Sequence, residues 1–341
     1  MIDLFSDTKT RPTPEMRKAI YEAEVGDDHF GEDPTVAALS QYGAELLGFE
    51  AALFLPSATM GNQIAIKVHA RPGDSIICHE YCHINLYEGG TPAFLSGVMV
   101  DSLPGERGVF TGAQVRARVR PTGPYFPPTS LVCIENTHNY CGGTVWNING
   151  LTDVATAARE SNLALHLDGS RIFNAAVKLG VDAKALTAPF DSVTLCLSKG
   201  LGAPAGALLF GSRDFVEAAR RWKHSLGGAM RQSGIIAAGG LYALEHHIPR
   251  LADDHARAEK LAAGIAEIPG LKLDPWPETN LVFVDPSESP FTADEIRARL
   301  KATGVLCSGS GTRLRFVTHL DISDADIDTA LTVLRDTLSG S

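Results

Sequence analysis

Val193-Thr194-Leu195-Cys196-Leu197 is a nearly continuous apolar run that empties at once into Ser198-Lys199-Gly200-Leu201-Gly202-Ala203-Pro204. An apolar run this short, bounded by turn formers, predicts a strand buried on both faces and then a glycine-rich turn. Similar runs stand upstream at Ala51–Leu55, Ser75–Cys78, Leu131–Ile134 and Leu163–Leu167, and downstream at Ala207–Phe210. Helix-like segments such as Leu151–Ser161 separate most of them. Apolar strands alternating with helices predict an α/β fold with a mainly parallel mixed sheet covered by helices on both faces. Ligands of such sheets gather at the carboxyl ends of the strands, which is where Lys199 falls.

The flanks extend the same reading. Thr13-Pro14-Glu15 is an N-cap, a first-turn proline and a first-turn acid, and Asp33-Pro34 repeats the device. The pattern changes near Tyr242–Pro249. Beyond it come the apolar run Asn280–Val284, a capping box at Thr292-Ala293-Asp294-Glu295, an alternating strand Arg313–Thr318 and a last helix capped by Ser323. This predicts a large domain over residues 1–245 and a small C-terminal α/β domain over residues 246–341. The N-terminal segment is expected to pack beside the small domain.

Composition narrows the class. Among 341 residues, 44% are apolar and 21% charged, which excludes a largely disordered chain. The formal net charge is −10 and no Lys/Arg run offsets it, so non-specific nucleic-acid binding is excluded. Six scattered cysteines, several in apolar runs, read as buried free thiols in a reducing compartment. The N-terminus lacks a basic region followed by an apolar stretch, and no run is long enough to span a bilayer. A cytoplasmic protein without a membrane partner is expected.

Lys199 sits between an apolar strand and glycines that let a ligand approach the backbone. A partly desolvated amine there is a nucleophile, although a solvated loop lysine gives the same local pattern. Asp168 shifts the balance. It ends the run Leu163–Leu167 within His166-Leu167-Asp168-Gly169-Ser170-Arg171, one strand–helix–strand unit before Lys199. The two side chains can face one crevice. A lysine able to form a Schiff base, with a carboxylate able to keep a pyridine nitrogen protonated, is the equipment of a pyridoxal-phosphate (PLP) enzyme. A turn-capping Asp is the plainer alternative.

Other segments add candidates. Gly200–Gly206 has the wrong spacing for a dinucleotide fingerprint, and Pro204 stands where that motif needs helix interior. Pro56-Ser57-Ala58-Thr59-Met60-Gly61-Asn62 follows a strand and opens a helix, which suits either a phosphate site or an ordinary N-cap. His79, Cys82 and His83 invite a metal reading, but no second pair follows at zinc-like spacing, so no metal is expected. His83 could instead stack on a cofactor ring or move protons, and His138, after Leu131–Ile134, could reach the same crevice. Arg313 and Arg315 share one face of an alternating strand. One guanidinium there could bind a carboxylate bidentately, or both could lie on an exposed edge.

Taken together, these segments resemble the low-specificity L-threonine aldolases, PLP enzymes of the aspartate-aminotransferase-like fold type I. The similar stretches are Asp3–Thr8 with Thr10-Arg11-Pro12, Gly26-Asp27-Asp28 with Gly31–Pro34, Pro56–Asn62, Glu135–Asn139, Leu163–Phe173, Leu197–Pro204, Gly227–Gln232 and Phe316–Asp321. They cover nearly the whole chain, and their shared order is more specific than any one of them. The resemblance implies that Lys199 is the Schiff-base lysine and Asp168 the partner of the pyridine nitrogen. Arg171 would contact the cofactor's phenolic oxygen or the substrate carboxylate, and His83 would stack on the ring. Ser57, Ala58, Thr59 and the helix start would bind phosphate. Ser6 and Arg315 would hold the substrate carboxylate, with His138 near the β-hydroxyl. Arg231 would complete a neighbouring subunit's phosphate site, as the family is usually homotetrameric.

Two positions depart from the family pattern: Ala58 replaces a glycine of the phosphate loop, and Phe30 replaces a tyrosine, which removes a hydroxyl. The implied activity is retro-aldol cleavage of L-threonine, L-allo-threonine or a related L-β-hydroxy-α-amino acid to glycine and an aldehyde. A β-eliminating lyase is the alternative on the same scaffold. A non-catalytic protein with a vestigial site and a metalloenzyme are further alternatives, testable by a visible absorbance band that depends on Lys199 and by chelation.

Overall fold

Every residue of Ser192–Cys196, the strand that leads to Lys199, is buried. The computed structural model describes residues 1–339. Numbered along the chain, its strands are β1 (Ile2–Leu4), β2 (Ala51–Leu55), β3 (Ser75–His79), β4 (Met99–Leu103), β5 (Thr129–Glu135), β6 (Ala164–Asp168), β7 (Ser192–Cys196), β8 (Ala207–Gly211), β9 (Lys272–Leu273), β10 (Leu281–Asp285), β11 (Val305–Ser310) and β12 (Arg313–Val317). Seven of them form one sheet in the order β2-β8-β7-β6-β5-β3-β4. Strands β3 to β7 run parallel, and β8 is antiparallel to both of its neighbours. This is the mainly parallel mixed sheet, and β3, β7 and β8 have no solvent-facing residue.

Register places the chemistry. Glu135 pairs with Asp168, and Asp168 with Thr194, so the ends of β5 and β6 form one row with Thr194, two residues before the end of β7. The chain leaves β7, passes Lys199 and returns at once as β8. Within that return, the Gly202 N–H donates to the Lys199 carbonyl at 2.8 Å and the Leu197 N–H to the Gly206 carbonyl at 3.0 Å. Gly202 and Gly206 take φ of +81° and +106°, conformations open to glycine. The glycine-rich stretch is therefore a reversal that presents Lys199.

A helix over Ala58–His69 crosses this edge, with the Ser57 side chain accepting from the Met60 N–H as its cap. Gly61 lets it lie close to the sheet, because a Cβ there would stand 2.8 Å from the Thr194 hydroxyl oxygen. Thr13, Asp33 and Thr292 also accept from first-turn N–H groups, and Ser323 accepts from the Asp326 N–H. Each cap contributes about 1 kcal/mol.

The remaining strands form a second sheet, β1-β11-β12-β10-β9, in which β1 runs parallel to β11 and the other pairs are antiparallel. Helices Leu251–Ala266, Ala293–Ala302 and Asp324–Ser339 supply its core, with Leu261, Ile296, Leu300 and Ile327 packed against Val282, Leu314 and Phe316. After β1 the N-terminal segment crosses to the first sheet, where the Thr10 hydroxyl donates to the Lys199 carbonyl at 2.8 Å. All six cysteines are unpaired and five are buried. Among the described residues, no helix is long and apolar enough to cross a membrane.

Candidate active site

Residues from both sheets and the N-terminal crossing enclose a cavity of 320 Å³ lined by Ser6, His83, Arg171, Lys199 and Arg315, with Tyr87, Asn139, Tyr140 and Ser308 among the other walls. A larger cavity of 770 Å³ opens elsewhere, beside Asp191 and Leu163 at the amino ends of β6 and β7, and no lysine lines it. The smaller one holds the sequence candidates. Among the described residues, no acceptor reaches the Lys199 amine.

Asp168 is buried at the end of β6. Its Oδ1 accepts from the Ser170 N–H at 3.1 Å and its Oδ2 from Asn62 Nδ2 at 3.0 Å. Burial disfavours the carboxylate, but the charges of His83 and Lys199 and these two hydrogen bonds outweigh it and lower its pKa. Asp168 forms no ion pair among the described residues, so it keeps lone pairs for a strong cationic donor.

Arg171 follows Asp168 by three residues and is also buried. Its Nε and Nη2 each donate to Asp7 at 2.7 Å, and Asn280 Nδ2 reaches the same Asp7 carboxylate at 3.2 Å. Burial opposes Asp7 ionisation, yet the Arg171 charge and hydrogen bonds hold its carboxyl well below the usual range. Arg171 thus spends two nitrogens on Asp7, leaving Nη1 free of acceptors among the described residues.

Arg315, on β12, is held from three sides. Nη1 donates to the Phe5 carbonyl at 3.2 Å and the Ser308 hydroxyl at 3.3 Å, and Nη2 to Asn139 Oδ1 at 2.9 Å. Its Nε is buried without a partner, and burial together with the Arg171 charge lowers its pKa to about 10. Ser6 caps the short turn Asp7–Lys9 and accepts from the Thr8 N–H and hydroxyl. Arg171, Arg315 and Lys199 give one wall of the cavity a positive potential suited to a carboxylate. Arg313, the other strand arginine, donates to the Tyr140 carbonyl and is absent from the cavity wall.

The two histidines differ sharply. His83 lines the cavity, with ring Nδ1 on Glu88 at 2.9 Å and its backbone N–H donating to Glu135 at 2.6 Å. Burial lowers its pKa, but the Glu88 hydrogen bond and the Asp168 charge more than offset this and the net shift is upward. His138 is fully buried against His79, has no hydrogen-bond partner at either ring nitrogen, and does not line the cavity. Burial lowers its pKa to about 4. Ligand atoms of His83, Glu88 and Asp168 lie within 4.8 Å of one another. Asn62 Nδ2 lies between the two carboxylates, 2.8 Å from Glu88, so hydrogen bonds link the three side chains.

Ser57, Ala58 and Thr59 stand at the start of the helix that carries Asn62, outside the cavity wall. Ala58 and Asn62 are four residues apart and share a helix face, so the helix start lies one turn from the side chain that binds Asp168. Arg231 lies apart from this cavity. It donates to Asp27 at 3.0 Å and stands 5.8 Å from the Phe30 ring centre. Phe30 is 69% exposed.

The donor set fits PLP. An amine without an acceptor lines the cavity, the buried Asp168 carboxylate lies near enough for the Lys199 charge to lower its pKa, and a helix N-terminus lies one turn from that carboxylate's amide partner. Sequence reasoning did not single out Asp7, Asn62, Glu88 or Asn139 by role. Asp7, Asn62 and Asn139 lay inside stretches already quoted, whereas nothing in the sequence around Glu88 marked it.

The chain is similar to known proteins along nearly its whole length. Residues 3–289 match the family model described as beta-eliminating lyase. The low specificity L-threonine aldolase of Escherichia coli K12 is 43% identical over 324 residues, covering 95% of each protein. Low-specificity L-threonine aldolase 1 of Arabidopsis thaliana is 40% identical over 333 residues, covering 96% of this chain and 93% of that one. A solved structure of Leishmania major threonine aldolase superposes with a TM-score of 0.85 at 20% identity, over 99% of this chain and 100% of that one, and so shares the fold.

Proposed function

We propose that this chain, which belongs to the beta-eliminating lyase family and within it to the low-specificity L-threonine aldolases, cleaves L-β-hydroxy-α-amino acids to glycine and an aldehyde with PLP as cofactor. The carrying observation is the 320 Å³ cavity in which the Lys199 amine, two arginines and His83 converge beside buried Asp168.

When bound, PLP supplies the electron sink for the pair released from the breaking Cα–Cβ bond. Lys199 is read as its attachment point and Asp168 as the group that keeps its ring nitrogen protonated. Ser57, Ala58 and Thr59 are read as the phosphate end. Arg315 and the free Nη1 of Arg171, with Ser6, grip the substrate carboxylate and fix which Cα bond stands across the ring. Such positioning contributes several kcal/mol or more. His83 takes the β-hydroxyl proton, directly or through water, because its ring borders the cavity and Glu88 holds Nδ1, leaving Nε2 for the substrate side. His138, walled off here, would act on that hydroxyl only through His79 or a shift of Gly108, which packs on its ring.

The division at residues 245/246 belongs to this proposal. It puts Lys199 and Asp168 on one unit and Arg315 on the other. We also propose a homotetramer in which Arg231 serves a neighbour's phosphate end, supported by its exposure and distance from its own cavity wall. A cytoplasmic location suits six unpaired thiols.

Product analysis tests the proposal. Protein supplied with PLP and L-threonine, L-allo-threonine or L-phenylserine should yield glycine and the matching aldehyde. A keto acid with ammonia would replace this reading with β-elimination.

A further inference from the structure

Behind Asp168 runs a row of polar side chains, buried except for the half-buried His69, that the chemistry above leaves unused. His69 Nε2 meets Ser192 Oγ at 2.8 Å, and Ser192 Oγ meets His166 Nδ1 at 2.8 Å. His166 Nε2 meets Asn62 Oδ1 at 3.1 Å, and Asn62 Nδ2 donates to Asp168 Oδ2 at 3.0 Å. The fold sets this row. His166 and Ser192 are register partners on β6 and β7. Asn62 and His69 lie seven residues apart, on one face of the helix that crosses those strands. Only His69 reaches the 770 Å³ cavity.

Hydrogen-bond valence fixes the direction of every proton in the row. Asn62 Nδ2 faces two carboxylates, Asp168 and Glu88, so the amide must present its N–H₂ to them and its oxygen to His166. His166 Nε2 must therefore carry a proton. With a neutral ring, His166 Nδ1 is a bare acceptor, and the Ser192 hydroxyl donates to it. The Ser192 oxygen is then left to accept from His69 Nε2–H. The opposite tautomer of His166 would point its Nδ1–H at Ser192. It would also require Asn62 to turn its oxygen towards two carboxylates, leaving close oxygen pairs with no proton between them.

We propose that His69, Ser192, His166 and Asn62 form a one-way donor relay whose dipoles all point at Asp168, making them positioning residues that keep this carboxylate ionised for the cofactor's ring nitrogen. The proposal rests on the reading of Asp168 given above. Burial lowers the pKa of His166 to about 3 and that of His69 to about 4, so both rings are neutral near neutral pH. Protonating His69 does not reverse the relay, since Nε2 donates in either state. Asp191 and Arg159 also act on His69, the first raising and the second lowering its pKa, and neither outweighs burial.

The first measurement needs no cofactor and no activity. Magic-angle-spinning ¹⁵N spectra of the full chain labelled at histidine, assigned with His166→Asn and His69→Asn, should show neutral rings protonated at Nε2 for both residues. An Nδ1-protonated or doubly protonated His166 overturns the relay. The second uses protein loaded with PLP and follows the pH midpoint of its visible band. A weaker hold on the ring-nitrogen proton raises the proton affinity of the lysine-linked nitrogen, so the midpoint should move up. Asp168→Asn should shift it most, Asn62→Leu less and Ser192→Ala least. If Asp168→Asn shifts the midpoint while Asn62→Leu and Ser192→Ala leave it unmoved, the relay is wrong and the reading of Asp168 stands. If Asp168→Asn leaves it unmoved, the reading of Asp168 fails and the relay's purpose with it.

Discussion

Arg171 and Asp7 are 164 residues apart in sequence and close a buried bidentate ion pair, with both N···O distances at 2.7 Å. The pair ties the N-terminal crossing to the end of β6 and fixes which nitrogen of Arg171 remains for a ligand.

Replacing Asp7 with Asn should cost about 3–5 kcal/mol of stability, because it leaves the Arg171 charge buried without its partner. The pH dependence has a definite sign. The folded pKa of Asp7 lies below its ordinary value of 3.8, so its contribution is complete above that value and disappears as pH falls through the folded pKa. Denaturant titrations of wild type and Asp7→Asn should therefore differ by a constant amount at neutral pH and converge only in strong acid.

His83 behaves in the opposite sense. Glu88 helps to raise its pKa above 6.5, so the stability this pair contributes is complete below that value and is lost as pH rises through the folded pKa. Glu88→Gln should lower the His83 titration, seen by NMR, and narrow the stability gap to wild type at high pH. A base must be neutral, so turnover should rise with pH through the same titration, and Glu88→Gln should move that rise to lower pH.

Gly61→Ala sets two effects against each other. Alanine favours the helix by about 1 kcal/mol, but the new Cβ would stand 2.8 Å from Thr194, and overpacking of this kind costs about 1–3 kcal/mol. Net destabilisation should result, measured as a lower Tm. PLP affinity should also fall, because the same helix carries Asn62 and the phosphate end.

Much of this architecture was readable in the sequence because its strands are buried on both faces. Leu163–Leu167 and Val193–Leu197 stood out as apolar runs, each displaced by one residue from the observed Ala164–Asp168 and Ser192–Cys196. Strands with mixed composition did not stand out. Met99–Leu103 lies at the sheet edge and carries Asp101 and Ser102, while Val305–Ser310 includes Cys307, Ser308 and Gly309. In the site, Lys199 and Asp168 were legible because strand ends announce themselves. Asp7 and Glu88 were not, because Asp7 acts through the distant Arg171 and Glu88 through Asn62, 26 residues away, and through a five-residue pairing with His83 that matches no recognisable motif. Period two put Arg313 and Arg315 on one face, but only the fold separates them, with Arg315 at the cavity and Arg313 on the Tyr140 carbonyl.

Arg231 offers a test of assembly. If it serves a neighbour's site, mixing Lys199→Ala subunits with Arg231→Ala subunits should restore part of the activity that each lacks alone, since some hybrid sites would draw both native residues. The restored activity should depend on subunit exchange. Additive activities after prolonged exchange would place Arg231 outside the neighbouring site.

Borohydride reduction of PLP-loaded protein, followed by peptide mapping, tests the central claim most directly. One modified residue, Lys199, is expected, with loss of the visible band and no modification in Lys199→Ala. Stable modification at a different lysine, or a band that persists in Lys199→Ala, would contradict it.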